Sequence, residues 1–283
     1  MMPMDLSPLN TPALMQKYGL KPDKSLGQNF LIDQQALGRI LEVADISDQD
    51  SVLEIGAGLG HLTRMLAVSA GRVTAVELDK RLIAPLTDIL KPFENVQIIQ
   101  GDILQLHPRD LIQSNHYAVV ANIPYYITSA IIRRLLEADQ KPDRMILTVQ
   151  HEVAKRICAT AGQLSVLALS ILVYGEPYIT AKIPAGSFYP PPKVDSAVIR
   201  IDLFPRPLVD PDSLNRYFEL IKAGFLHKRK TLRNSLASGL HLPKDQIENM
   251  LNQAGIDSKK RAQALRLSQW LELTQVYDKI SKV

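Results

Sequence analysis

The stretch Val52-Leu53-Glu54-Ile55-Gly56-Ala57-Gly58-Leu59-Gly60 is a short apolar run that leads into a loop of three glycines. A helical pattern, His61–Ala70, follows at once. A strand, a glycine loop and a helix in this order are typical of the first βα unit of a doubly wound α/β sheet, where nucleotide-like ligands bind at the carboxyl end of the strand. This stretch therefore predicts both the fold and the place of a ligand site.

The residues on either side continue the same alternation of short apolar runs and helical patterns. The predicted strands are Val52–Ile55, Arg72–Val76, Val96–Ile99, Tyr117–Ala121 and Met145–Val149, and the predicted helices between and after them are His61–Ala70, Lys80–Leu90, Ile127–Ala138 and Glu152–Ala159. Continuously apolar strands separated by helices indicate a parallel sheet that is covered on both faces. We therefore predict an α/β domain with a doubly wound, Rossmann-like sheet. Two later runs, Pro177–Ile183 and Val194–Leu203, predict an antiparallel pair at its edge.

The character of the chain changes after Leu203. Prolines in Phe204-Pro205-Arg206-Pro207 and Asp210-Pro211-Asp212 are typical of a linker. Helical patterns follow at Ser213–Leu226, Lys230–Ser238, Lys244–Asn252 and Leu267–Ile280. We predict a loose segment at residues 1–20, the α/β domain at 21–205 and a small all-helical domain at 206–283.

The charge is divided unevenly between these parts. Residues 206–283 hold 14 Lys and Arg against 8 Asp and Glu, a net of +6, whereas residues 1–205 hold 19 against 21, a net of −2. A basic appendage on a near-neutral body favours binding of a polyanion by the C-terminal part.

Composition limits the class of protein. The 283 residues are 46% hydrophobic, enough for a sizeable core, and the apolar runs are shorter than the roughly 18 residues that a membrane span needs. A single cysteine, Cys158, cannot form an internal disulfide and fits a reducing cytoplasm. The histidines show no metal-ligand spacing, so we expect no metal and no membrane association.

The glycine spacing discriminates between ligands. Gly56, Gly58 and Gly60 are followed by His61, so the pattern is G-x-G-x-G rather than the G-x-G-x-x-G of dinucleotide sites. This argues against NAD and favours S-adenosylmethionine. Glu77 follows the second strand, where it can accept both ribose hydroxyls, and Asp102 follows the third, where it can accept from the adenine amine. Taken singly, Glu77 also suits a solvated strand end and Asp102 a helix cap.

Asn122-Ile123-Pro124-Tyr125 follows the fourth predicted strand. The Asn122 side-chain carbonyl and the Ile123 backbone carbonyl can accept the protons of an amine on a flat ring, which frees its lone pair, and Tyr125 can stack on that ring. The motif predicts methylation of a nucleobase amine. The same tetrapeptide also suits a strand-ending turn.

The chain resembles the ribosomal RNA adenine dimethyltransferase family. The resemblance runs from about residue 20 to the C-terminus and is carried by four motifs besides the glycine loop: Lys24–Leu31, Asn122–Tyr126, Phe188–Val198 and Arg229–Leu236. Within the family the chain is most similar to the bacterial small-subunit branch, which dimethylates N6 of two adjacent adenines in a hairpin near the 3′ end of ribosomal RNA. The antibiotic-resistance branch, which methylates a large-subunit adenine, is the nearest alternative.

The resemblance implies roles for particular residues. Gln28, Asn29 and Leu31 would lie over S-adenosylmethionine, with Gly56, Gly58, Glu77, Asp102 and Asn122 completing its site, and Asn122, Pro124, Tyr125 and Phe188 would hold the target adenine. From sequence alone, Phe188 in a proline-rich turn suits a core residue better than a residue that holds a base, and only the resemblance reverses that interpretation. A class I methyltransferase fold and an immature small ribosomal subunit as partner are further implications.

The basic residues Lys222, Lys228, Arg229, Lys230 and Arg233 are predicted to contact RNA phosphates, although such a run also suits a solvated helix face. We expect a monomer. Two other classes of function are considered: a non-catalytic ribosome-assembly factor that binds RNA, and an NAD-dependent oxidoreductase, which the glycine spacing disfavours.

Overall fold

The computed structural model of the protein describes residues 6–281, in two compact units. The first comprises the described chain up to Ala154 together with Tyr178–Leu203, and the second comprises Lys155–Pro177 and the chain from Phe204 onward. The second stretch of the first unit ends close to the boundary predicted near residue 206. Residues 155–177 belong with the C-terminal helices, which local sequence patterns do not indicate.

The strands are β1 Phe30–Leu31, β2 Ser51–Ile55, β3 Arg72–Glu77, β4 Val96–Gln100, β5 Ala118–Asn122, β6 Arg144–Gln150, β7 Gly175–Ile183, β8 Phe188–Tyr189 and β9 Ser196–Leu203. The helices are α1 Thr11–Lys17, α2 Gln34–Ala44, α3 His61–Ser69, α4 Lys80–Leu90, α5 Pro108–Leu111, α6 Thr128–Leu136, α7 His151–Ile157, α8 Val166–Leu172, α9 Pro211–Phe225, α10 Leu232–Leu240, α11 Lys244–Gln253 and α12 Leu267–Ser281. Short 3-10 turns lie at Tyr125–Ile127, Ala185–Ser187 and Ala262–Ala264.

Seven strands form one sheet in the order β4-β3-β2-β5-β6-β9-β7. Strands β2 to β6 run parallel, and β9 is antiparallel to β6. The order reverses between β2 and β5, so the carboxyl ends of these strands flank the crevice in which open α/β sheets bind ligands. The predicted doubly wound sheet and helical C-terminal part are confirmed.

A two-stranded sheet lies apart from the main one and is not predicted by the sequence. Strand β1 pairs antiparallel with β8, so that Phe30 lies opposite Tyr189 and Leu31 opposite Phe188. Two-residue strands carry no periodic signal, which is why the Phe188–Pro192 segment suggests only a loop. The pairing joins the Lys24–Leu31 motif to the proline-rich motif across the chain.

The segment predicted to be loose, residues 1–20, contains helix α1. The side chain of Asn10 accepts a hydrogen bond from the Ala13 backbone N–H and thereby caps the helix. Met15 is buried and packs with Phe30, Leu59 and Leu82. Residues 11–17 are therefore helical rather than loose, because Thr11 and Met15 are buried against the first unit and the Thr11 hydroxyl lies 2.8 Å from His61 Nε2. Residues 1–5 lie outside the described part.

The second unit is built around Trp270, which is fully buried. A Cβ on Gly224 would lie 2.5 Å from the indole, and one on Gly239 would lie 2.6 Å from the Ala223 Cα, so α9 approaches both α10 and α12 closely only because these two residues lack side chains. The Tyr217 hydroxyl donates to the Leu169 carbonyl, which ties α9 to α8. Among the residues from 6 to 281, no helix is long and apolar enough to cross a membrane.

Candidate active site

A cleft lies at the carboxyl ends of the parallel strands in the first unit. Open α/β sheets bind small molecules and cofactors at this place. The residues that line it include nine of those predicted from the sequence: Gln28, Asn29, Gly56, Gly58, Glu77, Asp102, Asn122, Pro124 and Tyr125. Leu31 and Phe188 are the two that do not line it.

The glycine loop has a backbone that side chains would disturb. Gly56 and Gly58 have φ of +78° and +60°, a region that favours glycine. A Cβ on Gly58 would lie 3.0 Å from the Phe30 ring, and one on Gly56 would lie 3.6 Å from the Asn122 carbonyl oxygen. Along one side of the cleft the loop thus presents backbone without side chains, which we call the glycine cradle.

Glu77 ends β3 and is buried beside this loop. Its Oε2 accepts from the Gly58 N–H at 2.7 Å and its Oε1 accepts from the Asp79 N–H at 2.8 Å. Burial raises the pKa of the Glu77 carboxyl, and these backbone donors act against that rise. Each oxygen keeps a second lone pair, so the carboxylate can still accept from a diol in the cleft.

Sequence analysis did not single out Asp79, which positions part of the cleft. Its Oδ2 accepts from the Gln28 side-chain amide at 2.8 Å and from the Arg81 guanidinium at 2.6 Å. The hydrogen bond from Arg81 lowers the pKa of Asp79 to about 2. Its Oδ1 also accepts from the Arg81 backbone N–H and caps α4. Asp79 therefore holds Gln28 in place, and its position before a predicted helix is the one signal that could have revealed it.

Asp102 does not cap a helix, because the residues after it form a turn and the next helix, α5, begins at Pro108. Its Oδ1 accepts from the Leu104 backbone N–H at 2.9 Å, as in a turn, and the residue still lines the cleft.

Asn122 lies at the end of β5, and a hydrogen bond sets the orientation of its side-chain amide. Its Nδ2 donates to the Asn29 backbone carbonyl at 3.0 Å. Within residues 6–281, no group donates to its Oδ1. The amide therefore presents a free acceptor, the property that the sequence motif required.

Tyr125 and Tyr126 follow in a 3-10 turn and have different surroundings. The Tyr125 hydroxyl lies 2.6 Å from Ser196 Oγ, and burial raises its pKa. Tyr126 is 59% exposed, at the rim of the cleft.

Leu31 and Phe188 are packed beneath the site. Each is only 3% exposed, and they pair across β1 and β8 within the main hydrophobic core. The structure places Phe188 outside the lining of the cleft, and its contact with a target base remains a prediction.

The predicted RNA-contact residues lie in the second unit. Lys222, Lys228, Arg229 and Lys230 are exposed. Arg233 instead forms an ion pair with Glu248 at 2.9 Å. The backbone N–H of Leu232 donates to the Lys260 carbonyl, which brings Lys259, Lys260 and Arg261 next to the start of α10. These three residues are exposed and were missed because they are distant in sequence from the first cluster.

In the part of the chain that is described, no three His, Cys, Asp or Glu side chains are grouped so that they could hold a metal ion.

Comparisons with known proteins agree with this geometry. The family model for ribosomal RNA adenine dimethylase matches residues 19–279. Ribosomal RNA small subunit methyltransferase A of Dehalococcoides mccartyi strain CBDB1 is 46% identical over 265 residues, which cover 93% of this chain and 91% of that protein. The protein of the same name from Bacillus pumilus strain SAFR-032 is 40% identical over 283 residues, covering 96% and 97%.

Two crystal structures share the fold over most of the chain. The 23S rRNA methyltransferase ErmE superposes with a TM-score of 0.73 at 32% identity, covering 88% of this chain and 100% of that one. A dimethyladenosine transferase from Plasmodium falciparum superposes with a TM-score of 0.76, covering 89% and 98%; at 24% identity this likeness shows the fold alone.

Proposed function

This chain belongs to the ribosomal RNA adenine dimethylase family, and from that premise we propose that it is an S-adenosylmethionine-dependent enzyme that dimethylates N6 of two adjacent adenines in small-subunit ribosomal RNA. The target is a hairpin near the 3′ end of that RNA, and the reaction takes place during ribosome assembly.

Two observations support the small-subunit branch over the large-subunit branch. Relatives named as small-subunit methyltransferases are 40% to 46% identical to this chain, whereas ErmE is 32% identical. The Phe188–Val198 and Arg229–Leu236 motifs are also those of the small-subunit branch.

The orientation of Asn122 is the single observation that carries the proposed chemistry. With its Nδ2 donating to the Asn29 carbonyl, its Oδ1 is available to accept a hydrogen bond from an adenine N6 amine. The lone pair of this amine is delocalised into the ring, and an acceptor on its proton favours the pyramidal nitrogen that can attack. No side chain need act as a strong base, because the N6 proton becomes acidic once the nitrogen is alkylated. Positioning therefore supplies most of the catalysis.

The residues of the cleft fit S-adenosylmethionine. When bound, this cofactor supplies a methyl group on a sulfonium, which is an excellent leaving group. The glycine cradle allows the cofactor to approach the backbone closely. The lone pairs of Glu77 are available to a ribose diol, and the Asp102 carboxylate is available to an adenine amine. Asn29 stands at the junction of the two sites, since its carbonyl orients Asn122.

Tyr125 is the residue proposed to stack on the target adenine. Its hydroxyl is fixed by Ser196, which holds the ring in one orientation within the cleft. A base must leave its helical stack to reach it, which costs a few kcal/mol and favours a hairpin loop or end as substrate. The assignment of Phe188 to the opposite face of the base rests on the family resemblance.

The second unit is proposed to hold the RNA backbone. A basic surface is formed by Lys228, Arg229, Lys230, Lys259, Lys260 and Arg261. None of these six side chains has an ion-pair partner among residues 6–281, although the Asp257 carboxylate accepts from the Lys259 backbone N–H at 2.9 Å. Phosphate contacts of this kind position the hairpin without selecting its sequence. We further propose an immature small subunit in the cytoplasm as the partner, and a monomeric enzyme.

The proposal is tested by incubating the protein with labelled S-adenosylmethionine and immature small subunits, immature large subunits or free hairpin RNA. Mass mapping should find dimethyladenosine at two adjacent positions of small-subunit RNA. The variant Asn122→Ala should lose this label, and Asn252→Ala, an exposed asparagine on α11, should keep it. Label only in large-subunit RNA would identify the antibiotic-resistance branch, and RNA binding without label would identify an assembly factor that does not catalyse.

A further inference from the structure

Tyr126 is an exposed aromatic side chain that the proposed chemistry does not use. It is 59% exposed, whereas Tyr125 beside it is half-buried and hydrogen-bonded to Ser196. The Tyr126 hydroxyl has no hydrogen-bond partner among the described residues. An exposed aromatic ring at the rim of a cleft is available to stack on a ligand that enters it.

The ring is nevertheless held firmly at the rim of the cleft. The Ile127 N–H donates to the Pro124 carbonyl and the Thr128 hydroxyl donates to the Tyr125 carbonyl, which fix the turn that carries it. Its Cδ1 and Cε1 lie against Gly27, where an added Cβ would approach both to 3.4 Å. One side of the ring is thus supported by the Lys24–Asn29 loop, and most of the rest is open to solvent.

The loop that supports this ring also carries an exposed lysine, Lys24. The Gly27 N–H donates to the Lys24 carbonyl, so Lys24 is one turn away from the residue that supports Tyr126. Lys24 is exposed and forms no ion pair with any residue from 6 to 281. An exposed aromatic ring and an unpaired lysine on the loop that supports it are groups that bind single-stranded nucleotides, the ring by stacking on the base and the cation by contacting phosphate.

We propose that Tyr126 is a positioning residue that stacks on the nucleotide adjacent to the target adenine. This inference rests on the proposed function, because it requires a target base in the neighbouring cleft against Tyr125. In an RNA with two adjacent adenines, the base on Tyr126 is the adenine that is not being methylated. Stacking of that base would hold the backbone while its neighbour is turned into the cleft.

The first test uses binding alone and does not depend on methyl transfer. A hairpin with 2-aminopurine next to the target adenine is bound by the parent, Tyr126→Phe and Tyr126→Ala. Because stacking quenches 2-aminopurine, its fluorescence should stay low with the parent and with Tyr126→Phe, and should rise with Tyr126→Ala. Equal fluorescence with all three proteins would overturn the inference while leaving the proposed function intact.

The second test measures kcat/KM on a normal hairpin and on one in which the adjacent nucleotide is abasic. For the parent, removal of that base should lower kcat/KM by roughly 10- to 100-fold, the range expected for loss of one stacked base. Tyr126→Ala should show a similar loss on the normal hairpin and little further loss on the abasic one. Tyr178→Ala, a partly exposed tyrosine on β7, should respond to the abasic site as the parent does.

Two results would contradict the inference in this assay. If the loss in kcat/KM from Tyr126→Ala and the loss from the abasic site multiply when the two changes are combined, the ring and the base act independently. An equal loss on both hairpins, together with weaker cofactor binding by calorimetry, would show that Tyr126 only supports the Gly27 loop. If the parent protein methylated neither hairpin, both the proposed function and this inference would be wrong.

Discussion

At the scale of single residues, substitution of Asn122 should affect the rate of methyl transfer without affecting RNA binding. Asn122→Ala removes an acceptor that acts mainly when the amine attacks, so the chemical step should slow about 100-fold, equivalent to roughly 2.7 kcal/mol. Single-turnover rates at saturating cofactor are the measurement. RNA affinity should change little, because we propose that the basic residues of the second unit provide most of it. Tyr125→Ala should weaken both capture of the base and the rate. A parental rate for Asn122→Ala would show that another group holds the amine.

Glu77 provides the corresponding test of the cofactor site. Glu77→Ala removes a buried acceptor, so affinity for S-adenosylmethionine should fall by roughly 1.5–3 kcal/mol, the range for hydrogen bonds to a charged group. Calorimetry gives the affinity, and a thermal melt shows whether the variant is folded despite losing its bonds to Gly58 and Asp79. Glu42→Ala, an exposed glutamate on α2, is the matched control. Unchanged affinity in a folded Glu77→Ala protein would refute the assignment.

Glu54 predicts a pH dependence of stability. It is 1% exposed in the middle of β2, its Oε2 has no hydrogen-bond partner in the described chain, and burial raises its pKa to about 8. Between its ordinary pKa and this value the folded protein binds a proton that the unfolded chain releases, so stability falls as pH rises through this window. Glu54→Gln removes this titration. The free energy of unfolding of the variant minus that of the parent should therefore be larger at pH 8 than at pH 5, by at least about 1 kcal/mol, the equivalent of roughly one pKa unit. Denaturant unfolding at the two pH values tests this, and an identical pH dependence in both proteins would contradict it.

At the scale of elements, the turn between β2 and α3 explains why its glycines cannot be exchanged. Gly58→Ala places a Cβ 3.0 Å from Phe30 on a backbone with φ of +60° and should cost about 1–2 kcal/mol of stability, as well as cofactor affinity. Gly38→Ala, inside α2 with open space around it, should instead stabilise by about 0.5–1 kcal/mol. Chemical denaturation measures both, and a Gly58→Ala protein as stable as Gly38→Ala would show that the loop backbone at residue 58 does not require glycine.

The β1–β8 pair has a different role among the elements. It connects the loop that carries Gln28 and Asn29 to the proline-rich motif, and so fixes the carbonyl that orients Asn122. A short pair of strands with buried side chains thus sets the geometry of a polar site.

At the scale of the whole molecule, we propose that the first unit binds the cofactor and the second unit binds the RNA backbone. Replacing Lys228, Arg229 and Lys230 by Ala should weaken RNA binding across sequences and reduce its log-log salt slope by about 0.7–0.9 for each lost phosphate contact. Cofactor affinity should stay at the parental value, because the cleft lies entirely in the first unit. Titrations at several salt concentrations provide the slope. An unchanged slope would show that the cluster is a solvated helix face and that Lys259, Lys260 and Arg261 should be tested next.

The sequence by itself determined the alternation of strands and helices, the glycine loop and the acidic and amide residues after successive strands. These are local signals, because burial on both faces and turns with positive φ restrict residue type at each position. Tertiary structure alone decided that the Asn29 carbonyl orients Asn122, that Asp79 holds Gln28 and that Phe188 lies in the core beside Leu31. It also decided that Lys259, Lys260 and Arg261 join the basic surface. Each of these contacts joins residues far apart along the chain, and a pattern of neighbouring residues carries no information about which distant groups meet.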